Sequence, residues 1–406
     1  MIFLYFLIFA MPFYQHHIID AGSGTFTVVK AVGALGLVGA GMYVIQRGIP
    51  DYLESLQAKL FFAMVGLAFV SFLRHGRPPS LEIGSPFQIY ISMVVFFLII
   101  VSLVDTPKKI RYSLLFAAFA AAAASFYILR EFAQYHSLYG DNFRPSAKVI
   151  GDANYFSMAG MLAVPISYFW FTAERDPIYR WFILATLLVT SAGIAVSGSR
   201  GGLLALFTFI LFVAFRSRYR LRNMLIISLI LIPPMLMVPR NPVVRIFHPD
   251  EADRLGTQSR LQTWKAGLRM IADRPLMGIG LGEFKPTIAM YAQNPRLAKI
   301  AHNTYLEIAA ELGVPCLLLY LWLLHATYRS LKRTGEVAQR LHSELFYNIA
   351  LGMQGGLIGF LVSSFFLSAE YVKFFWFYVF FSVALMRVTR KWAAHQISTQ
   401  ARLTHG

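Results

Sequence analysis

The chain is poor in cysteine and in charged residues, and each shortage excludes a class of protein. Cys316 is the only cysteine, so neither an intrachain disulfide nor a site with several thiolate ligands can form. Charged residues make up 14% of the 406 residues, whereas 57% are hydrophobic. Soluble domains carry roughly a quarter charged residues. The composition therefore predicts a polytopic membrane protein.

Acidic residues are scarce as well, at 20 against 37 lysines and arginines, which gives a formal net charge of +17. A charge of this size can indicate nucleic-acid binding. Here many of the basic residues lie in short segments between apolar stretches, as membrane orientation requires. We therefore expect a lipid bilayer and no nucleic acid as partner.

Apolar stretches that approach spanning length fill most of the chain. A helix needs roughly 17 to 25 residues to cross a bilayer, and the candidates are 1–14, 25–45, 60–73, 87–104, 112–129, 155–172, 181–196, 203–215, 224–238, 304–327, 346–367 and 374–386. We predict an all-α integral membrane protein with about 12 transmembrane helices. Its expected parts are an N-terminal transmembrane bundle of about nine helices at 1–238, one large outer loop with short helices at 239–301, and C-terminal transmembrane helices with a cytoplasmic tail at 302–406.

The short connections differ in charge and so predict an orientation. One set is rich in basic residues: Lys108, Lys109, Arg111, Arg175, Arg180, Arg216, Arg218, Arg220, Arg222, Arg329, Lys332, Arg333, Arg340, Arg387, Arg390, Lys391 and Arg402. The positive-inside rule places this set and both termini in the cytoplasm. The 239–301 loop then faces the periplasm, and a loop of this length usually has a function.

The outer loop contains a helix signal. Ser259 and Gln262 form a capping-box pattern, which predicts a helix that continues through Ala272 and ends at Arg274-Pro275. Its pattern is that of an amphipathic interfacial helix. We expect it to cover a site as a lid.

Three arginines are candidates for binding an anion. Arg200 lies in Ser197-Gly-Ser-Arg-Gly-Gly202, whose small residues let a ligand approach closely. Arg260 begins the expected loop helix, and Arg254 shortly precedes it. Each can hold phosphate oxygens. The alternatives are snorkelling to headgroups for Arg200 and a solvated or headgroup-binding face for the other two.

His302 is the candidate general base. It immediately precedes Thr304 and Glu307, which form a second capping-box pattern. A helix N-terminus favours the neutral form of a nearby imidazole and attracts anions. These conditions suit a base beside a phosphorylated substrate. The alternative is an interfacial histidine that merely hydrogen-bonds at a helix end.

Further polar residues have either a binding or a structural explanation. Asp152 and Asn154 come just before an apolar stretch, where they would cap a helix or bind sugar hydroxyls. Glu307 is a membrane-level acid that also fits a helix cap. Gly278-Ile-Gly-Leu-Gly282 lacks βαβ surroundings and predicts a turn. We predict no metal site, since the group His248, Asp250, Glu251 and Asp253 lacks a recognisable ligand spacing.

These motifs in this order resemble the O-antigen ligase and polymerase superfamily. The glycine-rich Arg200 segment, the run from Arg260 to Phe284 and His302-Asn303 follow one another as they do in that family. The ligases share a pattern of His, then Asn, Ser or Gln, nine residues, Gly, two residues, and Gly, Thr or Tyr. His302, Asn303 and Gly313 match this pattern, whereas the last position is Cys316. Ligase and polymerase therefore stay open.

The resemblance implies a GT-C-type glycosyltransferase of the bacterial inner membrane that needs no metal or other cofactor. Its donor would be a glycan on polyprenyl (undecaprenyl) diphosphate, and its acceptor a sugar of lipid A-core or, for a polymerase, another repeat unit. His302 would be the catalytic base, with Arg200 and Arg260 at the diphosphate. Arg254, Asp152, Asn154, Asn303 and Glu307 would support substrate binding. A polyprenyl-linked glycan flippase is the alternative from another class.

Overall fold

The computed structural model describes residues 1–13, 27–48, 51–74, 85–139, 145, 153–216, 220–236, 242–294 and 300–404. Within these ranges the regular structure is helical, without strands. The α-helices are α1 (Ile2–Ala10), α2 (Val28–Arg47), α3 (Leu56–Arg74), α4 (Pro86–Leu103), α5 (Pro107–Tyr139), α6 (Ala153–Ala173), α7 (Pro177–Val196), α8 (Arg200–Arg216), α9 (Arg220–Leu236), α10 (Pro242–Phe247), α11 (Glu251–Asp273), α12 (Phe284–Tyr291), α13 (Thr304–Arg340), α14 (Glu344–Ser363) and α15 (Lys373–Thr404).

The described helices confirm the all-α membrane class. Every apolar stretch predicted from the sequence overlaps one of them. Eight, α2 to α7, α13 and α14, are long and apolar enough to cross a bilayer. The helices α8 and α9 have 17 residues each, which is at the lower limit for a span. The number of 12 crossings, the GT-C type and the three-part division stay predictions.

Helix α14 lies at the centre of the bundle, in contact with α6, α8 and α13. Its glycines permit this packing: a Cβ at Gly352 would lie 2.7 Å from the backbone of Ile166 in α6, and one at Gly356 would clash with the hydroxyl of Tyr378. Close approach through small residues is the usual way in which membrane helices associate. The 364–372 loop, between α14 and α15, therefore starts from a firmly packed helix.

Helix α13 is broken at Gly313. The backbone there has φ 85° and ψ 165°, a region that is essentially restricted to glycine. Pro315 follows shortly after the break. A Cβ at Gly313 would clash with the carbonyl of Leu276. Gly313, which matches the glycine of the ligase pattern, thus has a structural role. It permits the break in the helix, and its lack of a side chain leaves room for the segment that contains Leu276.

The 275–284 segment fills the break in α13. Its glycines at 278, 280 and 282 have positive φ values, which confirms the predicted turn. A Cβ at Gly278 would clash with the Glu311 carbonyl. The backbone hydrogen bonds across the break are Ile279 N to Ala310 O (2.8 Å), Gly280 N to Glu311 O (3.0 Å) and Val314 N to Pro275 O (2.8 Å).

The loop helix α11 is longer than the sequence pattern predicts. It begins at Glu251, because the Asp250 side chain accepts a hydrogen bond from Asp253 N at 2.7 Å and caps it. The prediction of a start at Ser259 is therefore wrong, and Arg260 lies in the third turn, not the first. The predicted end is confirmed, since α11 stops at Asp273.

Candidate functional site

His302 lies in a strained turn that is held on both sides. Its φ of 47° is uncommon for a residue with a side chain. Before it, Trp264 Nε1 donates to the Ala301 carbonyl at 2.9 Å. After it, Thr304 N donates to the Ser364 carbonyl at 2.9 Å. Strain of this kind persists where the surroundings fix it, and it is frequent at functional sites.

Helix α13 is capped differently from the prediction. Asn303 is its N-cap and accepts a hydrogen bond from Leu306 N at 3.0 Å. The Thr304 hydroxyl instead donates to the Leu367 carbonyl at 2.7 Å and accepts from Ala369 N at 2.8 Å. The predicted cap at Thr304 is therefore wrong, because contacts with the 364–372 loop engage that side chain. These bonds join the loop to the His302 turn.

The acids of α13 serve tertiary contacts. Glu307 is buried, and its carboxylate accepts a hydrogen bond from the Ser368 hydroxyl; its predicted part in a capping box is wrong. Glu311 is buried as well and connects the break in α13 to two other segments. Its carboxylate accepts hydrogen bonds from Gly282 N (2.9 Å), Phe284 N (3.1 Å) and the Tyr371 hydroxyl (2.6 Å).

Glu370, in the 364–372 loop, is a buried acid that the sequence did not single out. It is 4% exposed, and its backbone carbonyl accepts a hydrogen bond from Trp376 Nε1 at 2.7 Å. Burial raises the pKa of the Glu370 carboxyl well above its usual range, and the neighbouring Glu307 raises it further. The fold thus favours the neutral form of Glu370.

Asp253 attaches the segment of α10 and α11 to the turn that carries Arg200. Arg245 pairs with the Asp253 carboxylate, and its Nη1 donates to the Gly198 carbonyl at 2.7 Å. Arg200 Nη2 lies 3.7 Å from the same carboxylate. The Asp253 side chain is 2% exposed, so α10 and the first turn of α11 meet the start of α8 through a buried ionic cluster. The Asp250 cap with an acid three residues later was the sequence signal for this end of α11.

Two glycines bring further segments to the start of α8. A Cβ at Gly202 would clash with the Ser157 hydroxyl of α6, so the N-terminal ends of α6 and α8 touch. A Cβ at Gly201 would lie 3.6 Å from Phe366 of the 364–372 loop. The start of α8 is therefore adjacent both to α6 and to the loop that is hydrogen-bonded to the His302 turn.

Arg260 lies on the inner face of α11. It follows Asp253 by seven residues and precedes Trp264 by four, and this spacing places all three on one side of a helix. The Asp253 end of this face contacts the α8 turn, and the Trp264 end contacts the turn before α13. Arg260 is half-buried between them, whereas Arg254 is exposed and lies off this face.

The contacts close a ring of four segments, α8, the 364–372 loop, α13 and α11, and α6 adjoins this ring at α8. The turns that carry His302 and Asn303, Arg200 and Arg260 belong to these linked segments, and Asn154 is half-buried in the first turn of α6. Asp152 lies outside the described residues, and Arg254 is peripheral. Proton removal beside an anionic group would need an imidazole and guanidinium groups of this kind. The described residues contain no cluster of His, Cys, Asp or Glu that could hold a metal.

Residues 184–321 match the Wzy_C family model, which is described as O-antigen ligase. The match begins in α7 and ends in α13, so it contains Arg200, Arg260 and His302. Members of this family are membrane glycosyltransferase-like enzymes, both ligases and polymerases. No curated protein matches the chain. The chain therefore carries, at residues 184–321, a domain of the O-antigen ligase family, as its motifs indicated.

Proposed function

We propose that this protein is an O-antigen ligase of the GT-C type, active at the periplasmic face of the bacterial inner membrane with both termini in the cytoplasm. It transfers a glycan from undecaprenyl diphosphate to a sugar of lipid A-core, with inversion and without a metal. The observation that carries the proposal is the Wzy_C match, which contains Arg200, Arg260 and His302 and covers α8, α11 and the start of α13.

The proposed reaction is a single displacement. His302 removes the proton of the acceptor hydroxyl while its oxygen attacks the anomeric carbon. The bond between that carbon and the diphosphate oxygen breaks, and the diphosphate leaves with the electron pair. Arg200 and Arg260 balance the charge that develops on it. Asp152, Asn154, Asn303 and Arg254 would position the glycan or the donor.

The contacts of Arg200 support its assignment to the diphosphate. Its 3.7 Å separation from Asp253 is longer than a hydrogen bond, whereas Arg245 pairs closely with the same carboxylate. Arg200 can therefore turn towards an anion while Arg245 keeps the loop attached. A guanidinium of this kind binds phosphate oxygens in a bidentate manner.

A polymerase is the second candidate, because it would use the same donor and the same base. Cys316, where the ligase pattern has Gly, Thr or Tyr, is fully buried in the part of α13 that follows the break. Its side chain therefore packs in the core. The choice between the two enzymes depends on the acceptor. A flippase, the candidate from another class, would move the donor without cleaving it.

Purified protein in lipid nanodiscs, with a polyprenyl-diphosphate-linked glycan and lipid A-core, tests the proposal. A ligase glycosylates lipid A-core and releases polyprenyl diphosphate. A polymerase elongates repeat units instead, and a flippase releases no polyprenyl diphosphate. Transfer should survive EDTA, and a loss that magnesium restores would contradict metal independence.

His302→Asn is the matched substitution for the base, since asparagine tolerates positive φ but cannot act as this base. We expect transfer to fall about a hundredfold to ten-thousandfold while folding and donor binding persist. His342, at the other end of α13, has φ 53° and is exposed, so His342→Asn controls for the backbone change and should keep full activity. Wild-type transfer by His302→Asn would refute the role of His302.

A further inference from the structure

We infer that the groove between α1, α2 and α4 is a binding site for an anionic membrane phospholipid, distinct from the ring around His302. The groove contains a cavity of about 340 Å³, which is within the usual size range of ligand sites. None of its lining residues belongs to the ring. Lys30, which lines the cavity, is a cation near the start of the apolar helix α2.

The groove is apolar along its length and polar at one end. Leu37 of α2 and Val95 and Ile99 of α4 line the apolar part. Lys30, near the start of α2, and Lys373, the first residue of α15, line the polar end. This distribution matches a lipid that lays an acyl chain along the helices and keeps its headgroup at the membrane boundary.

The charge of the polar end favours an anionic headgroup. The described lining residues include two lysines and no carboxylate. The N-termini of α2, α4 and α15 meet there, and their backbone dipoles add positive potential. The Gln88 side chain, in the first turn of α4, is a further lining group with hydrogen-bond donors for phosphate or ester oxygens. Basic pockets between transmembrane helices bind anionic lipid headgroups in this way.

The position of the groove distinguishes its occupant from the lipid-linked donor. A reacting donor must present its diphosphate to Arg200 and Arg260, which lie on α8 and α11, and neither helix lines the groove. The lipid in the groove would instead act on the 364–372 loop. Lys373 comes two residues after Tyr371, whose hydroxyl donates to Glu311 at 2.6 Å. Binding at Lys373 would therefore stabilise the loop that supports the His302 turn.

Native mass spectrometry of the full chain, after exchange into phosphatidylglycerol or phosphatidylcholine, tests the inference. We expect retained phosphatidylglycerol and little phosphatidylcholine. Each of Lys30→Gln and Lys373→Gln should weaken phosphatidylglycerol binding roughly fivefold, and the double variant about 25-fold. Lys285→Gln is the control, because Lys285 is exposed on α12 outside the groove.

A second variant tests the acyl-chain part of the groove. A Cβ at Gly33, which lines the cavity, meets nothing within 4 Å, so Gly33→Leu fills the groove without a clash at Cβ and should abolish retention. Gly39, on the same helix, is equally open but does not line the cavity, so Gly39→Leu should bind as the wild type does. Equal retention in all variants, or equal retention of both lipids, would overturn the inference. Displacement of phosphatidylglycerol by polyprenyl diphosphate would overturn the assignment to a phospholipid.

Discussion

Replacement of Trp264 by phenylalanine tests whether α11 holds the turn that carries His302, the proposed base. The substitution keeps an aromatic ring in the partly buried position but removes the Nε1–H group, which lies 2.9 Å from the Ala301 carbonyl. Ala301 directly precedes His302 and is fully buried. The change therefore acts on the backbone next to His302 without touching the His302 side chain.

The size of the effect follows from two similar energies. A buried carbonyl that loses its partner costs about 1–3 kcal/mol, and a left-handed backbone at a residue with a side chain stores roughly 1–2 kcal/mol. Without the Trp264 bond, the turn can relax and release the strain at His302. We expect the productive orientation, and with it kcat, to fall roughly 5- to 150-fold, while the donor KM changes little.

The assay is the initial rate of glycan transfer by purified protein, measured together with thermal unfolding. Trp322→Phe is the matched control, because Trp322 is 52% exposed on α13 and should leave the rate unchanged. A wild-type kcat for Trp264→Phe would refute the reasoning. A raised donor KM with unchanged kcat would show instead that Trp264 serves substrate binding.

Three further substitutions test the contacts of Asp253, the buried acid Glu370 and the break at Gly313. Asp253→Asn should lower the free energy of unfolding by about 1–3 kcal/mol and expose residues 242–273 to proteolysis. Asp273→Asn, at a side chain that is 54% exposed, should change the free energy of unfolding by less than about 1 kcal/mol. Equal losses of stability in the two variants would contradict the ionic cluster around the buried Asp253. The raised pKa of Glu370 contributes stability that is complete below about pH 4.3, the usual glutamate value, and is lost as pH rises through the native pKa. Glu370→Gln should therefore resist alkaline unfolding better than the wild type, and identical melting curves across pH would argue against a buried neutral acid. Gly313→Ala should destabilise the protein by about 3 kcal/mol or more in thermal unfolding. Gly335→Ala should be tolerated, because the nearest atom to a Cβ there is 3.7 Å away. A Gly313→Ala protein as stable as the wild type would refute the conclusion that the break in α13 requires glycine.

The helices could be predicted from the sequence, but their ends could not. Long apolar stretches identify membrane helices because burial in lipid dominates there. A cap, by contrast, depends on which polar side chain is available. Asp250 is the N-cap of α11, although Ser259 fits a capping pattern equally well. Asn303 takes the cap of α13 because Thr304 is hydrogen-bonded to the 364–372 loop.

The site was visible where polar residues interrupt apolar stretches. Arg200 and His302 both stand at such interruptions, so composition alone draws attention to them. The residues that hold the site were not visible, because their partners are distant in sequence: Trp264 bonds across 37 residues, and Arg245 bonds to Gly198 across 47. No local pattern records such a pairing.

The hydrogen bonds across the break in α13 limit how the segment that contains α11 and residues 275–284 can move. Lifting the 275–284 segment would leave three backbone N–H groups and their three carbonyl partners without hydrogen bonds, at about 1–3 kcal/mol for each unsatisfied group. Lifting the start of α11 separates mainly the side-chain pairs of Asp253. The 242–284 segment is therefore attached more firmly at the break than beside Arg200. Under the proposed function, a lipid-linked donor would reach Arg200 at this more weakly attached end of the segment.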